Sequence, residues 1–141
     1  MTRSARLTAG LAVAATLFFA SGCGTSGNRI RVTEMTASTD AEGVQVVKIE
    51  ARSFYFKPSR VVVMAGKPVE IVVKFKNKMV PHNLTCGNPD TGISVSLGAG
   101  ILSFRPTKRA RFTPTRPGEY EFFCNVDGHH KKGMRGTRVV R

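Results

Sequence analysis

The 141-residue chain reads as an all-β protein, a single β-sandwich domain behind an N-terminal leader and a tether. Three observations predict this. Apolar and polar residues alternate with period two in several short runs. Gly and Pro punctuate those runs at Pro58, Gly66, Pro68, Pro81, Pro114 and Pro117-Gly118. Beyond the leader, no window of useful length carries the helical period. Short strands separated by turn signals are the pattern of a two-sheet sandwich.

Residues 1–22 read as a signal peptide. Arg3 and Arg6 form a basic start, and Leu7–Ala20 is an apolar run too short to span a membrane as a helix. The segment ends at Ala20-Ser21-Gly22-Cys23, which resembles the lipobox of bacterial lipoproteins, with Ala where Leu is commoner. That resemblance implies cleavage before Cys23 and acylation of its thiol and amine; two or more chains make a stable anchor where one is marginal. It also implies an extracytoplasmic location, in the periplasm or on the outer face of the cell membrane. An ordinary signal peptide with a Cys near its end is the plainer alternative. Residues 23–43, rich in Gly, Ser, Thr and Ala, are expected to be the lipidated Cys and its tether, although Ile30 and Val32 could start a strand early. Residues 44–141 are the expected domain.

Within the domain, Val47, Ile49 and Ala51 alternate with Lys48, Glu50 and Arg52, and the pattern continues through Phe54 and Phe56. Val69, Ile71, Val73 and Phe75 form a second run. Tyr120, Phe122 and Cys124 share one parity, which turns the Cys124 sulfur inward beside Phe122. Residues 87–107 look irregular, and a long loop with at most a short helix or strand is expected there.

The chemistry concentrates in Cys124-Asn-Val-Asp-Gly-His129-His130-Lys-Lys-Gly-Met134 and in Pro81-His82-Asn83. One thiolate, two imidazoles and one thioether are the donors of a mononuclear blue-copper site: two His nitrogens and a Cys sulfur in a plane, with a weak axial Met. The set lacks the strong fourth ligand that structural zinc takes from Cys or His. His82, Cys124, His129 and Met134 are thus the candidate ligands, with His130 as the alternative loop histidine. Of the three cysteines, Cys23 goes to lipid and Cys124 to metal, leaving Cys86. A Cys86–Cys124 disulfide is the competing assignment. If His82 and Cys124 share a metal, however, Cys86 lies four residues along the strand, about 13 Å away, beyond the ~7 Å reach of a disulfide. Cys86 then reads as a core residue or a reactive thiol.

Asn77-x4-His82-Asn83, Phe112-Thr113-Pro114, Pro117-Gly118-Glu119-Tyr120 and the Cys124 loop together resemble the cupredoxins, the plastocyanin/azurin group, over residues 44–141. Asp127, where many relatives have Pro, and the doubled histidine are departures. The resemblance implies a Greek-key sandwich, one type 1 copper, and single-electron transfer. It also implies that Asn83 ties the His82 segment to the loop, and that the N–H groups of Asn83 and Val126 donate to the sulfur. His129, in a loop, would present a ring edge at the surface as the electron exit. Asp127 reads as a turn former or as a carboxylate offsetting its lysine neighbours.

A formal charge of +13 in a cytoplasmic protein would suggest nucleic acid. Export removes that partner, and no recognition motif is present. Acidic redox proteins and anionic envelope surfaces remain, with a merely solvated basic face as the alternative. Lys131, Lys132 and Arg135 flank the expected exit and are the candidate docking residues of what is expected to be a monomer. No acid–base pair or activated nucleophile is visible, so the chain reads as a non-enzyme. The competing functional class is an envelope copper carrier or buffer. Carriers use exposed Met- and His-rich clusters, whereas this chain has five Met, three of them before residue 65.

Overall fold

A computed structural model describes residues 32–88 and 93–141. The leader, and the tether up to residue 31, lie outside the described residues. Among the described residues, eleven strands form two sheets: β1 (Glu34–Thr36), β2 (Ser38–Thr39), β3 (Gln45–Arg52), β4 (Tyr55–Lys57), β5 (Arg60–Val63), β6 (Val69–Phe75), β7 (His82–Asn88), β8 (Ile93–Ala99), β9 (Thr107–Phe112), β10 (Gly118–Phe123) and β11 (Arg135–Val140). The first sheet runs β1-β5-β11-β10-β7-β8. The second runs β2-β3-β6-β9, with β4 hairpinned onto β3. The described part is all-β, as the alternation predicts.

Parity builds the core. Val47, Ile49 and Ala51 of β3 and Val69, Ile71, Val73 and Phe75 of β6 turn inward, meeting Val61, Val63, Leu84, Phe122 and Val140 from the other sheet. Burying a side chain of this size contributes roughly 1.5–3 kcal/mol, so the stripe on each sheet drives their association. Outward positions carry the charges: on the second sheet Glu70 takes Arg109 and Arg111 at 3.1 Å each, and Glu50 takes Arg52 at 2.7 Å and Lys76 at 3.1 Å.

The structure differs from the sequence expectations in three places. Pairing begins upstream of residue 44: β1 runs parallel to β5, and β2 pairs with β3, so the expected tether enters the sheets from Glu34 onward. These strands are too short, at three and two residues, to show a period. Within 87–107, β8 pairs with β7 from His82↔Ala99 to Asn88↔Ile93. Its alternation is real, Val95 and Ala99 being buried and Ser96 and Gly98 exposed, but Ser and Gly have poor strand propensity and hide it. Among the described residues of that stretch, 100–106 form the loop between β8 and β9.

The third difference is at Phe54. The β3 alternation stops at Arg52, and the chain reverses into β4, with Ala51 opposite Phe56. Phe54 sits in that turn at φ 65°, a left-handed conformation uncommon for a bulky residue.

Candidate metal centre

β7 opens with His82 and β10 ends one residue before Cys124, and these two strands pair at Phe123↔Thr85. The pairing brings His82 and Cys124 to the same end of the first sheet. Inward parity then points both side chains into the sandwich: His82 is 1% exposed and Cys124 is fully buried. From Cys124 the chain makes a run of turns before re-entering the sheet at Arg135. Gly128 and Gly133 have φ of 72° and 92°, a backbone region that glycine enters without penalty. Inside the loop the N–H of His129 donates to the Val126 carbonyl at 3.0 Å, and that of Gly133 to His130 at 2.9 Å. Met134 closes the loop. Its N–H donates to the carbonyl of His129 at 3.1 Å, and its own carbonyl accepts from Cys124 at 3.0 Å. The loop is therefore held by its own hydrogen bonds, and Met134, fully buried, is fastened to both Cys124 and His129.

One donor atom from each of His82, Cys124 and His129 lies within 4.8 Å of the others, all three residues buried. Neither ring nitrogen of His82 has a hydrogen-bond partner. A buried polar group without a partner is unfavourable by roughly 1–3 kcal/mol. A lone pair aimed at a thiolate and a second imidazole is satisfied by a metal ion. Burial, and secondarily His129, hold His82 below its ordinary pKa, which favours the neutral imidazole that ligates metal. The His82 and His129 rings stand 5.0 Å apart, and His129 Nδ1 lies 3.5 Å from the Cys124 sulfur.

Around the sulfur, the N–H of Asn83 donates to Cys124 Sγ at 3.4 Å. Among the described residues this is the one backbone N–H given to the sulfur. Val126, expected as a second donor, makes no such bond; it packs against the core and uses its carbonyl to start the loop turns. Asn83 also locks the loop to β7. Its Oδ1 accepts from the Asn125 N–H at 2.8 Å, and its Nδ2 donates to Asn125 Oδ1. His130 turns away from the donor cluster, packing its ring on Phe123 at 5.4 Å and meeting Glu121 at 3.3 Å. Lys131, Lys132, Arg135 and Asp127 are exposed.

His129 does not present its ring edge to solvent. It is 6% exposed, because Phe54 stands edge-on to it at 5.0 Å and to His82 at 6.3 Å. Lys132 Nζ lies 4.2 Å above the Phe54 ring. Nothing in the alternation reveals this residue, since the site recruits it through the β3–β4 turn. The sequence reading also misses a ring of exposed apolar side chains on the loops beside His82: Met79, Ile101, Leu102 and Phe104, the last fully exposed. The Leu102 N–H donates to the Lys78 carbonyl at 2.8 Å, which joins the two loops. Cys86 is a free, buried thiol whose sulfur accepts from Arg138 at 2.8 Å. Burial pushes that thiol up from its ordinary pKa, and Arg138 pulls the other way.

A two-sheet sandwich that buries a His–Cys–His cluster at one end, with a methionine fastened beneath it, defines a class of copper proteins. The sequence matches the cupredoxin-like domain family over residues 11–140, and the chain belongs to that family. No curated protein matches the sequence. Solved structures resemble the fold. The metal-binding domain of the Cu(I)-exporting P-type ATPase CopA of Streptococcus pneumoniae D39, with Cu(I), is 22% identical, with a TM-score of 0.57, covering 78% of this chain and 97% of that one. Auracyanin from the photosynthetic bacterium Roseiflexus castenholzii is 19% identical, with a TM-score of 0.58, covering 74% and 98%. Rusticyanin from Thiobacillus ferrooxidans is 19% identical, with a TM-score of 0.57, covering 77% and 82%. Copper is the cofactor of this family, and the donor set fits it: soft sulfur and borderline nitrogen, with no carboxylate in the cluster.

Proposed function

We propose that this protein is a one-electron carrier, not an enzyme, and that His82, Cys124, His129 and Met134 would hold one copper ion. Copper bound there would supply the one-electron chemistry of the Cu(I)/Cu(II) pair. The protein's part is to keep the donors still and dry. Cys124 enters from a strand end, Asn83 fixes it by two routes, and the loop is closed by its own hydrogen bonds. Little has to rearrange when the charge changes. The observation that carries this reading is the buried His–Cys–His cluster with both nitrogens of His82 unpartnered. The copper-carrier alternative calls for labile, accessible donors, and these three are buried.

The domain works outside the cytoplasmic membrane, anchored through lipid on Cys23, and its redox partners are acidic. Support for the location comes from the lipobox-like Ala20-Ser21-Gly22-Cys23, and for the partner from the exposed Lys131, Lys132 and Arg135 in and beside the metal loop. Phe54 and Lys132 lie between His129 and solvent, so a partner arriving at this end meets them first.

The test is optical. The purified copper-loaded protein should be intensely coloured when oxidised, through charge transfer from the Cys124 sulfur. Cys124→Ser should lose the colour, because oxygen does not replace the soft thiolate. Met134→Leu should keep it and shift the potential, because a thioether would be a weak donor beside the thiolate and the imidazoles. A band that survives in Cys124→Ser would falsify the site.

A further inference from the structure

Phe54 combines three features. It is a bulky residue in the left-handed region at φ 65°, where a non-glycine side chain is unfavourable and persists only when its surroundings hold it. It stands edge-on to both imidazoles of the donor cluster, at 5.0 Å from His129 and 6.3 Å from His82. Its other side carries Lys132 Nζ at 4.2 Å. The turn that presents it is itself pinned: Asn77 Nδ2 donates to Ser53 Oγ at 2.9 Å, and Asn77 Oδ1 accepts from the Met79 N–H at 2.9 Å. Asn77 thus ties the Phe54 turn to the loop that leads into His82. A glycine at position 54 would suit the backbone better, so the ring is there for what it covers. It covers the two nitrogen donors, which are 1% and 6% exposed.

We propose that Phe54, overlaid by Lys132, is the gate of the metal centre, a side chain that must swing away before copper can enter or leave. Cys124 and Met134 are fully buried, His129 is the most exposed of the four at 6%, and the Phe54 ring stands against it at 5.0 Å. The lysine holds the ring by cation–π attraction. The gate gives this domain what an electron carrier needs and a metal donor does not, a slow exchange of its ion. The inference rests on copper being bound by His82 and His129, and the experiment separates the two claims.

Three variants, Phe54→Gly, Phe54→Leu and Lys132→Gln, are compared with the parent protein. Cu(I) removal is timed with bathocuproine disulfonate in excess. On the metal-free protein, modification of His82 and His129 by diethyl pyrocarbonate is followed by mass spectrometry, together with the thermal midpoint. Phe54→Gly should release copper roughly tenfold faster, the scale expected when edge-to-face contacts with two rings are lost. Its metal-free form should have an unchanged or higher thermal midpoint, since glycine accepts the backbone angle, while its two imidazoles react faster. Lys132→Gln should show a smaller acceleration, with Phe54→Leu in between. Unchanged copper release and imidazole reactivity in Phe54→Gly would overturn the proposal. So would faster release that merely tracks a lower midpoint, the mark of a structural role. If Phe54→Gly does not fold, parent-like rates in Phe54→Leu overturn it. A parent protein that binds no copper defeats the metal reading instead, and the metal-free reactivities still decide whether Phe54 covers the histidines.

Discussion

At the scale of single residues, the centre contains a buried side chain whose hydrogen-bonding needs would be met by a metal. That side chain is His82. It is buried, unpartnered, and held below its ordinary pKa, first by burial and then by His129. The sign of the consequence follows. In the unfolded chain the imidazole takes up a proton near its ordinary value of about 6.5, whereas in the folded metal-free domain it resists protonation. The unfolded state therefore binds more protons as the pH falls. The metal-free protein should be most stable above that value and lose stability as the solution is acidified below it, down to the folded pKa. Thermal midpoints between pH 7.5 and 5 check this, with His82→Phe as the variant that should lose most of the slope; a parent midpoint that rises on acidification contradicts it. Cys124, His129 and Met134 were legible in the sequence because a thiol, an imidazole and a thioether at fixed spacing have few other uses. Phe54 and Arg138 were not. Phe54 reads as a continuation of a strand, and nothing in the sequence sets Arg138 apart from the other charges, yet it is 4% exposed between the Phe112 and Tyr120 rings.

At the scale of elements, β10, the metal loop and β11 form one unit whose tightest point is Gly136. Opposite it in the ladder is Phe122, and a Cβ on Gly136 would overlap the Phe122 ring and approach the Ser59 carbonyl oxygen to 2.5 Å. Backbone cannot yield as a flexible side chain can, so the ring must move, and Phe122 is two residues from Cys124. Gly136→Ala should destabilise the fold by about 1–3 kcal/mol, the usual range for overpacking, and should also perturb the colour of the copper form. Chemical denaturation and the absorption spectrum measure the two effects; a fully stable variant would show that Phe122 has room. Period two made β3, β6 and β10 readable in advance. It failed for β8, where serine and glycine occupy the outward positions, and for β1 and β2, which are too short to repeat. Those strands are specified by their neighbours.

At the scale of the whole molecule, the metal centre lies at one end of the sandwich and the turns carrying Lys67 and Arg116 lie at the other, joined by the bond from the Gly66 N–H to the Pro114 carbonyl at 2.8 Å. This separates two uses of the basic charge. At physiological ionic strength the screening length is ~8 Å, so only charges near the exit should steer a partner. Reversing Lys131 and Arg135 to Glu, which leaves Lys132 on Phe54, should slow electron transfer to an acidic redox protein and flatten its salt dependence. Reversing Lys67 and Arg116 should do much less. Stopped-flow rates at several salt concentrations distinguish the pairs. Equal effects would assign the charge to solubility, and would leave the exposed Met79, Leu102 and Phe104 as the contact surface.

The position of β11 bears on when such a centre can come into being. This last strand lies in the middle of the first sheet, parallel to β5 on one side and antiparallel to β10 on the other. During synthesis, the β1–β5 pair and the β10–β7–β8 group stay unjoined until residues 135–140 have been made. Three of the four proposed ligands stand just upstream of that strand, and the fourth lies on β7, which reaches β11 only through β10. Contacts so distant along the chain form late and slowly. A fragment that stops short of residues 135–140 can pair β7 with β10 and bring His82 near Cys124, but its metal loop lacks the strand that anchors the far end beyond Met134. A firmly held ion therefore waits for β11.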